Sequence, residues 1–139
     1  MKYDPIKRTL GTFFNTNPFF RKLFYRLLDV LLLRTWHIKK EVKTWKKQRH
    51  AADAYILDAG MGFGQYSYFL ARQSRNWNIK GVDVKEEQVA DCNAFFNQTG
   101  MNHARFAYAD LTQLQEKENH YDLVLSVDVM EHILEDEQV

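Results

Sequence analysis

The hydrophobic pattern of the first half of the chain is helical. From Asn17 onward, apolar residues recur every three or four positions, the spacing of one face of an α-helix. Asn17 followed by Pro18 is a favourable helix start, with asparagine as the cap and proline at the first helical position. We therefore predict an amphipathic helix from Pro18, and a second helix capped by Thr35 that ends at about Lys47. The predicted buried residues are Phe20, Leu23, Phe24, Leu27, Leu28 and Leu31, then Trp36, Val42 and Trp45, and the polar face of the first helix holds Arg21, Lys22 and Arg26.

From Ala54 the pattern changes, and short apolar runs alternate with helical segments. Strands and helices that alternate with short connections predict a parallel sheet with right-handed crossovers. The predicted strands are Tyr55–Asp58, Ile79–Asp83, Ala104–Ala109 and Leu123–Val127, and the predicted helices are Gln65–Gln73, Glu86–Gln98 and Met130–Glu135. We therefore divide the chain into a helical N-terminal extension (residues 1–50) and an α/β domain (residues 51–139).

The net charge of +1 conceals an asymmetry between these two parts. Residues 1–50 hold 13 Lys and Arg against Asp4, Asp29 and Glu41, a net charge of +10. Residues 51–139 hold 6 basic and 15 acidic residues, a net charge of −9. This asymmetry leaves three hypotheses for the basic extension: it packs on the acidic domain, it covers a site as a lid, or it lies on an anionic membrane surface.

Length and composition restrict the class of protein. A chain of 139 residues suits one domain with a single core, and 45% hydrophobic with 27% charged residues is typical of a globular protein. The single cysteine, Cys92, excludes an internal disulfide framework and a cysteine-rich zinc site. Neither a secretory signal nor an uncharged run of about 18 residues occurs in the sequence. We expect a cytoplasmic location, with contact at the membrane periphery as the alternative.

A glycine-rich loop, Asp58-Ala-Gly-Met-Gly-Phe-Gly64, follows the first predicted strand. Alternating glycines let the backbone turn sharply and let a ligand approach it closely, while the next helix directs its free N–H groups toward that ligand. A phosphate-binding P-loop requires Gly-Lys-Ser/Thr, which the sequence lacks at this point. A dinucleotide fingerprint requires a third glycine where Gln65 or Ser67 stands. The spacing therefore disfavours both of these sites.

Acidic residues end the next two strands. Asp83 follows 19 residues after Gly64 and can accept hydrogen bonds from both hydroxyls of a ribose, while Asp110 ends the third strand. The motif Asp-x-Gly-x-Gly-x-Gly, these two acids, and the segment Tyr121-Asp-Leu-Val-Leu-Ser-Val-Asp-Val-Met-Glu-His-Ile133 occur in order. Together they resemble the class I, Rossmann-like S-adenosylmethionine (SAM)-dependent methyltransferases over residues 54–135.

The resemblance implies a fold and a cofactor. The implied fold is an α/β, Rossmann-like parallel sheet of strand order 3-2-1-4 that lacks the usual strands 5–7. We therefore expect a C-terminally truncated domain whose fourth strand forms an apolar edge, with a dimer that completes the sheet between chains as the alternative. The implied cofactor is SAM, with Asp58 at the amino group of its methionine moiety, Asp83 at the ribose, Asp110 at the adenine amino group and Leu111 beside the ring. The complete predicted cofactor set is Asp58, Gly60, Gly62, Gly64, Asp83, Asp110 and Leu111.

Asp128, Glu131 and His132 form the candidate catalytic cluster. In some relatives an acid-x-x-Glu-His set of this form binds a divalent metal, and carboxylates with one imidazole suit magnesium or manganese. The alternative, which we favour, has no metal: Asp128 caps the following helix and His132 packs locally. Methyl transfer from a sulfonium depends mainly on how the acceptor is positioned, so neither alternative identifies the acceptor.

Three functions remain open at this point. The first is methyl transfer from SAM to a small-molecule, lipid or quinone-like acceptor. The second is a non-catalytic SAM-binding or interaction module. The third is an NAD(P)-linked oxidoreductase, which Gln65 disfavours. We expect no nucleic-acid partner, because the Asn/Asp-Pro-Pro-aromatic motif of base amino-methyltransferases does not occur.

Overall fold

A computed structural model describes residues 17–50, 52–127 and 129 of the chain. By its internal contacts the chain divides into two compact units, with the boundary between residues 51 and 52. The described part of the first unit is helical, and the second unit contains a parallel sheet with its own helices. None of the helices described is long and apolar enough to cross a membrane.

Two helices form the described part of the N-terminal unit: α1 spans Pro18–Leu31 and α2 spans Leu33–Gln48. The predicted start of α1 is confirmed, since the Asn17 side chain accepts a hydrogen bond from the Phe19 N–H at 2.9 Å. The prediction that Thr35 caps α2 is wrong. Helix α2 begins two residues before Thr35, after an extended Leu32, and the Thr35 N–H donates to the Leu32 carbonyl at 3.0 Å.

The buried face of α1 also differs from the prediction. Arg21 is only 2% exposed and Tyr25 is buried beside it, whereas Leu23 and Leu27 of the predicted apolar face are exposed. The buried guanidinium is compensated by Tyr25, because the Arg21 Nε–H donates to the Tyr25 hydroxyl at 2.9 Å. The other burial predictions for the two helices divide into two groups. Phe24 and Val42 are buried and Leu28 and Trp45 are half-buried, as predicted. Phe20 and Trp36 are exposed, so these two predictions are wrong.

The second unit contains a four-stranded parallel sheet of order β3-β2-β1-β4, which confirms the predicted order. Its strands are β1 (Ala54–Ala59), β2 (Trp77–Asp83), β3 (Ala104–Tyr108) and β4 (Leu123–Ser126). The strand ends lie within two residues of the predicted ones. The carboxyl ends of β1, β2 and β3 are adjacent, since Ala59 pairs with Val82 and Asp83 pairs with Tyr108.

Two helices lie against this sheet with the bounds that the sequence predicts: α3 spans Gln65–Gln73 and α4 spans Glu86–Gln98. A short 3-10 helix at Leu111–Gln113 follows β3. An aromatic cluster holds α4 against β3, and its rings make tilted or edge-on contacts typical of aromatic packing. Its members are Tyr68, Phe95, Phe96 and Phe106.

Strand β4 forms one edge of the sheet and β3 the other. Val124 on β4 is exposed, and Leu123 and Leu125 are half-buried, so this edge is apolar as expected. No fifth strand occurs among residues 17–50, 52–127 and 129. The predicted helix Met130–Glu135 lies outside the described residues.

Candidate cofactor site

The glycine loop has the backbone conformation that only glycine adopts without strain. Gly60, Gly62 and Gly64 all have positive φ angles, of 77°, 54° and 79°. The loop is fixed to the neighbouring strand, because the N–H groups of Gly60 and Met61 donate to the Val82 carbonyl at 2.8 and 3.0 Å. Gly64 then provides the N-terminal cap residue of α3. The loop therefore lies at the carboxyl edge of the sheet, where open α/β sheets bind ligands.

Two of these glycines face different surroundings. A Cβ atom at Gly60 would lie 2.2 Å from Val129 Cγ2, so the protein itself fills the space beside this residue. A Cβ atom at Gly62 would meet nothing within 4 Å. The open side of the loop is therefore at Gly62, and this is where a ligand can approach the backbone.

Asp83 holds the open side of the loop in place. One carboxylate oxygen of Asp83 accepts a hydrogen bond from the Gly62 N–H at 3.0 Å. Its other oxygen accepts from the Lys85 N–H, also at 3.0 Å. The side chain remains partly exposed at the end of β2. Asp83 thus places a negative charge beside the open loop and keeps acceptor capacity for a ligand hydroxyl.

Asp58 lies beneath the loop and is 1% exposed. Its carboxylate accepts a hydrogen bond from the Ser67 hydroxyl at 2.6 Å, in the first turn of α3. Burial raises the pKa of Asp58 to about 6 from its ordinary value of 3.8; the hydrogen bonds from Ser67 lower it, and the charge of Asp83 raises it. In this structure Asp58 fixes the start of α3, and its role at the cofactor amino group stays a prediction.

Asp110 and Leu111 follow β3 at the same edge of the sheet. Asp110 Oδ1 accepts from the Thr112 N–H at 2.9 Å and from the Thr112 hydroxyl at 2.7 Å, and these bonds lower the pKa of Asp110. Both bonds use Oδ1, so Oδ2 keeps acceptor capacity, and the contact of Asp110 with the adenine amino group stays a prediction. The Leu111 side chain is buried in the core with Leu57 and Val82, so only its backbone is suited to contact a ring.

The candidate catalytic cluster of Asp128, Glu131 and His132 lies outside the described residues. Within residues 17–50, 52–127 and 129, no three His, Cys, Asp or Glu side chains are grouped as metal ligands. The proposed catalytic and metal roles of the cluster therefore stay predictions.

Two residues that shape the site were not singled out in the sequence. Ser67 is the donor to Asp58, and its position in the first turn after the glycine loop is the pattern that indicates it. Val129 closes the side of the loop at Gly60, but a valine after a strand end carries no feature that distinguishes it from other core residues.

A family model described as "Methyltransferase domain" matches residues 56–139, which include the glycine loop and the three strand ends predicted to contact the cofactor. The matched segment is more than half of the chain. This chain belongs to the methyltransferase domain family.

The curated relatives of this methyltransferase domain are named for different substrates. A "tRNA (guanine-N(7)-)-methyltransferase" of Synechococcus sp. (strain JA-2-3B'a(2-13)) is 26% identical over 68 residues, covering 48% of this chain and 28% of that protein. "Probable (S)-tetrahydroprotoberberine N-methyltransferase 2" of Papaver bracteatum is 30% identical over 78 residues, covering 56% of this chain and 22% of that protein. The chain thus spans about a quarter of the length of the curated relatives it matches.

A solved methyltransferase structure shares the fold. Coclaurine N-methyltransferase, solved with N-methylheliamine and S-adenosylhomocysteine bound, superposes with a TM-score of 0.55 at 16% sequence identity, covering 66% of this chain and 27% of that one. The cofactor of the methyltransferase domain is S-adenosylmethionine. The residues described here fit it: Gly62 leaves the backbone accessible, Asp83 offers a carboxylate, and α3 directs its first N–H groups to the same edge.

The open space at Gly62 gives a testable prediction. We expect Gly62→Ala to weaken SAM binding about tenfold, because the added methyl group enters the space left for the ligand and cannot move aside on a strained backbone. Folding should lose only about 1 kcal/mol, the cost of a side chain at positive φ. Isothermal titration calorimetry and urea unfolding measure the two quantities separately.

Gly100→Ala is the matched control for this substitution. Gly100 also has a positive φ, 72°, and open space around it, but it lies after the end of α4 and away from the loop. We expect the same loss of stability with unchanged SAM affinity. Equal loss of affinity in the two variants would show that backbone strain, rather than occupied space, is responsible.

Proposed function

We propose that this protein is a SAM-dependent methyltransferase that acts on a small-molecule, lipid or quinone-like acceptor. The observation that supports it best is the glycine loop with Asp83 bonded to its open side, at 3.0 Å from the Gly62 nitrogen, within a domain of the methyltransferase family. Loop, carboxylate and helix start together provide polar groups for a ligand with hydroxyl and charged ends.

The residues of this chain position the cofactor rather than supply the reacting group. When bound, SAM supplies a methyl group already activated by its sulfonium. The Gly62 backbone and the start of α3 bind the cofactor, and Asp83 orients it by accepting hydrogen bonds from hydroxyl groups. Holding the methyl group in line with an acceptor supplies much of the rate in a displacement of this kind.

A small-molecule acceptor is supported by the relative of Papaver bracteatum, which is named as a probable (S)-tetrahydroprotoberberine N-methyltransferase. It matches 56% of this chain, against 48% for the tRNA methyltransferase of Synechococcus. The expected lack of a nucleic-acid partner gains no support from the relatives, since three of them are named tRNA (guanine-N(7)-)-methyltransferase. RNA is therefore the second acceptor class to test.

A labelled-methyl assay with the full chain tests the proposal. Purified protein is incubated with [methyl-³H]SAM and, in parallel, with a small-molecule and lipid extract or with total tRNA, and Asp83→Ala serves as the background. We expect label in the organic or small-molecule fraction with the wild type alone. Label in tRNA alone would show that the acceptor is RNA and not a small molecule, and it would still support methyl transfer as the function.

Calorimetry with SAM, S-adenosylhomocysteine and NAD distinguishes the remaining functions. We expect binding of the first two ligands and none of NAD. Binding of SAM without any transfer in the assay would indicate a non-catalytic SAM-binding module. Binding of NAD alone would contradict the proposed function and favour an oxidoreductase.

A further inference from the structure

Helix α1 exposes its apolar residues and buries an arginine. Phe19, Leu23 and Leu27 are 67%, 46% and 50% exposed, while Arg21 is 2% exposed. The usual arrangement of an amphipathic helix is the opposite one, with apolar residues packed and charges in water. Burying a guanidinium is unfavourable unless it is compensated, as the Tyr25 hydroxyl does here at 2.9 Å. The exposed apolar residues are therefore the feature of α1 that needs a partner outside the chain's own core.

These three residues form a single stripe. Phe19, Leu23 and Leu27 are spaced four residues apart, so they lie on one side of the helix over more than two turns. Phe20 adds a second exposed ring, in edge-on contact with Phe19 at 5.8 Å between ring centres. Scattered exposed apolar residues need no explanation, but a continuous stripe on one helix marks an interaction surface.

Cationic residues run along one edge of the stripe. Lys22 and Arg26 are exposed and also four residues apart, so they follow the stripe along the helix. The next helix begins with exposed Leu33 and Trp36, and the Lys40 ammonium lies 5.3 Å from the centre of the Trp36 ring. The whole segment 1–50 carries a net charge of +10. The charge is complementary to an anionic surface.

We propose that α1 docks on an anionic lipid membrane, with Phe19, Leu23 and Leu27 inserted at the interface and Lys22 and Arg26 beside the lipid headgroups. A cationic edge next to an apolar stripe is the pattern of helices that lie in the membrane interface. An RNA partner would use the cations and could stack bases on Phe19 and Phe20, but Leu23 and Leu27 offer neither base stacking nor hydrogen bonds. The two exposed leucines of the stripe therefore favour lipid over nucleic acid. This docking is independent of methyl transfer.

Vesicle flotation with the full chain tests the proposal. Vesicles of phosphatidylcholine alone and of phosphatidylcholine with phosphatidylglycerol are mixed with protein at an ionic strength of about 0.15 M. We expect binding to the anionic vesicles, and at least about tenfold weaker binding for the double variant Leu23→Ser/Leu27→Ser, because its stripe no longer offers apolar surface. Lys22→Gln/Arg26→Gln should weaken the preference for anionic lipid, because two of the cations beside the stripe are removed.

Val124→Ser is the matched control, since it removes an equally exposed apolar side chain from the sheet unit and should bind vesicles as the wild type does. Circular dichroism verifies that each variant is folded. Absence of wild-type binding to anionic vesicles, or equal binding by the leucine variant, would overturn the proposal. If the protein bound an immobilised RNA hairpin but no vesicles, the cationic residues would be a nucleic-acid binding surface instead. A leucine variant that keeps vesicle binding but loses SAM affinity would assign the stripe to a lid over the cofactor.

Discussion

Replacing Asp83 with alanine is expected to weaken SAM binding by at least about a hundredfold. The carboxylate bonds the Gly62 N–H at 3.0 Å and lies partly exposed at the open side of the loop. A charged acceptor that bonds two ribose hydroxyls contributes about 1.5–3 kcal/mol for each bond. Its loss removes those bonds and also frees the loop that the cofactor needs. Calorimetric titration of SAM into the purified variant measures the effect.

Two further variants isolate the role of the charge. Asp83→Asn keeps one acceptor oxygen but loses the charge, so its affinity should lie between those of the wild type and the alanine variant. Asp122→Ala is the control, because Asp122 also accepts a backbone N–H, that of Tyr55 at 2.8 Å, but at the amino end of β1. We expect it to lose stability without losing SAM affinity. Wild-type affinity in Asp83→Ala would refute the cofactor assignment.

The second large effect concerns stability and pH. Burial raises the pKa of Asp58 in the folded protein to about 6, against 3.8 for the same group in water. The folded state therefore keeps a proton that the unfolded state loses, so this contribution to stability is complete below about pH 4 and declines as the pH rises through 6. A shift of this size corresponds to about 3 kcal/mol. We expect the free energy of unfolding of the wild type, relative to Asp58→Asn, to fall by about that amount between pH 4 and pH 7.

Urea unfolding at a series of pH values measures this difference, and the comparison with Asp58→Asn removes the contributions of all other titrating groups. Ser67→Ala provides a directional check. It removes the 2.6 Å hydrogen bond that favours the charged carboxylate, so the pKa of Asp58 should rise further and the decline should extend to higher pH. Parallel pH profiles for the wild type and Asp58→Asn would show that burial of Asp58 has no such effect.

The sheet and its helices follow from short-range patterns that the sequence displays directly. Helices α3 and α4 begin and end where the apolar spacing and the glycine positions indicate. The strand order, in contrast, was implied by the family resemblance, because crossover handedness alone leaves several orders possible. Gly60, Gly62 and Gly64 were identified by spacing, and all three have the positive φ that only glycine adopts freely. The helix ends and the glycine conformations depend on residues that are close together in the sequence, so the sequence alone predicts them.

The remaining features depend on contacts between distant residues. The burial of Arg21 depends on its Tyr25 partner and on what surrounds it in three dimensions, whereas the apolar spacing of α1 pointed to the opposite face. The start of α2 was misplaced because an extended Leu32, with no polar side chain to signal it, separates the two helices. The side chain that fills the space beside Gly60 belongs to Val129, 69 positions later in the chain. A local sequence pattern cannot predict a contact between residues so far apart.

Gly81 on β2 has a consequence for how this domain can vary. A Cβ atom there would lie 2.5 Å from the Phe106 ring and 3.3 Å from Met61 Cβ, so a ring from β3 and a residue of the cofactor loop share the space that this glycine leaves. A larger residue at 81 would require a smaller one at 106, or it would displace Met61 and with it the loop. Homologous domains should therefore change these three positions together, and a substitution that never touches the cofactor could alter its affinity through Met61.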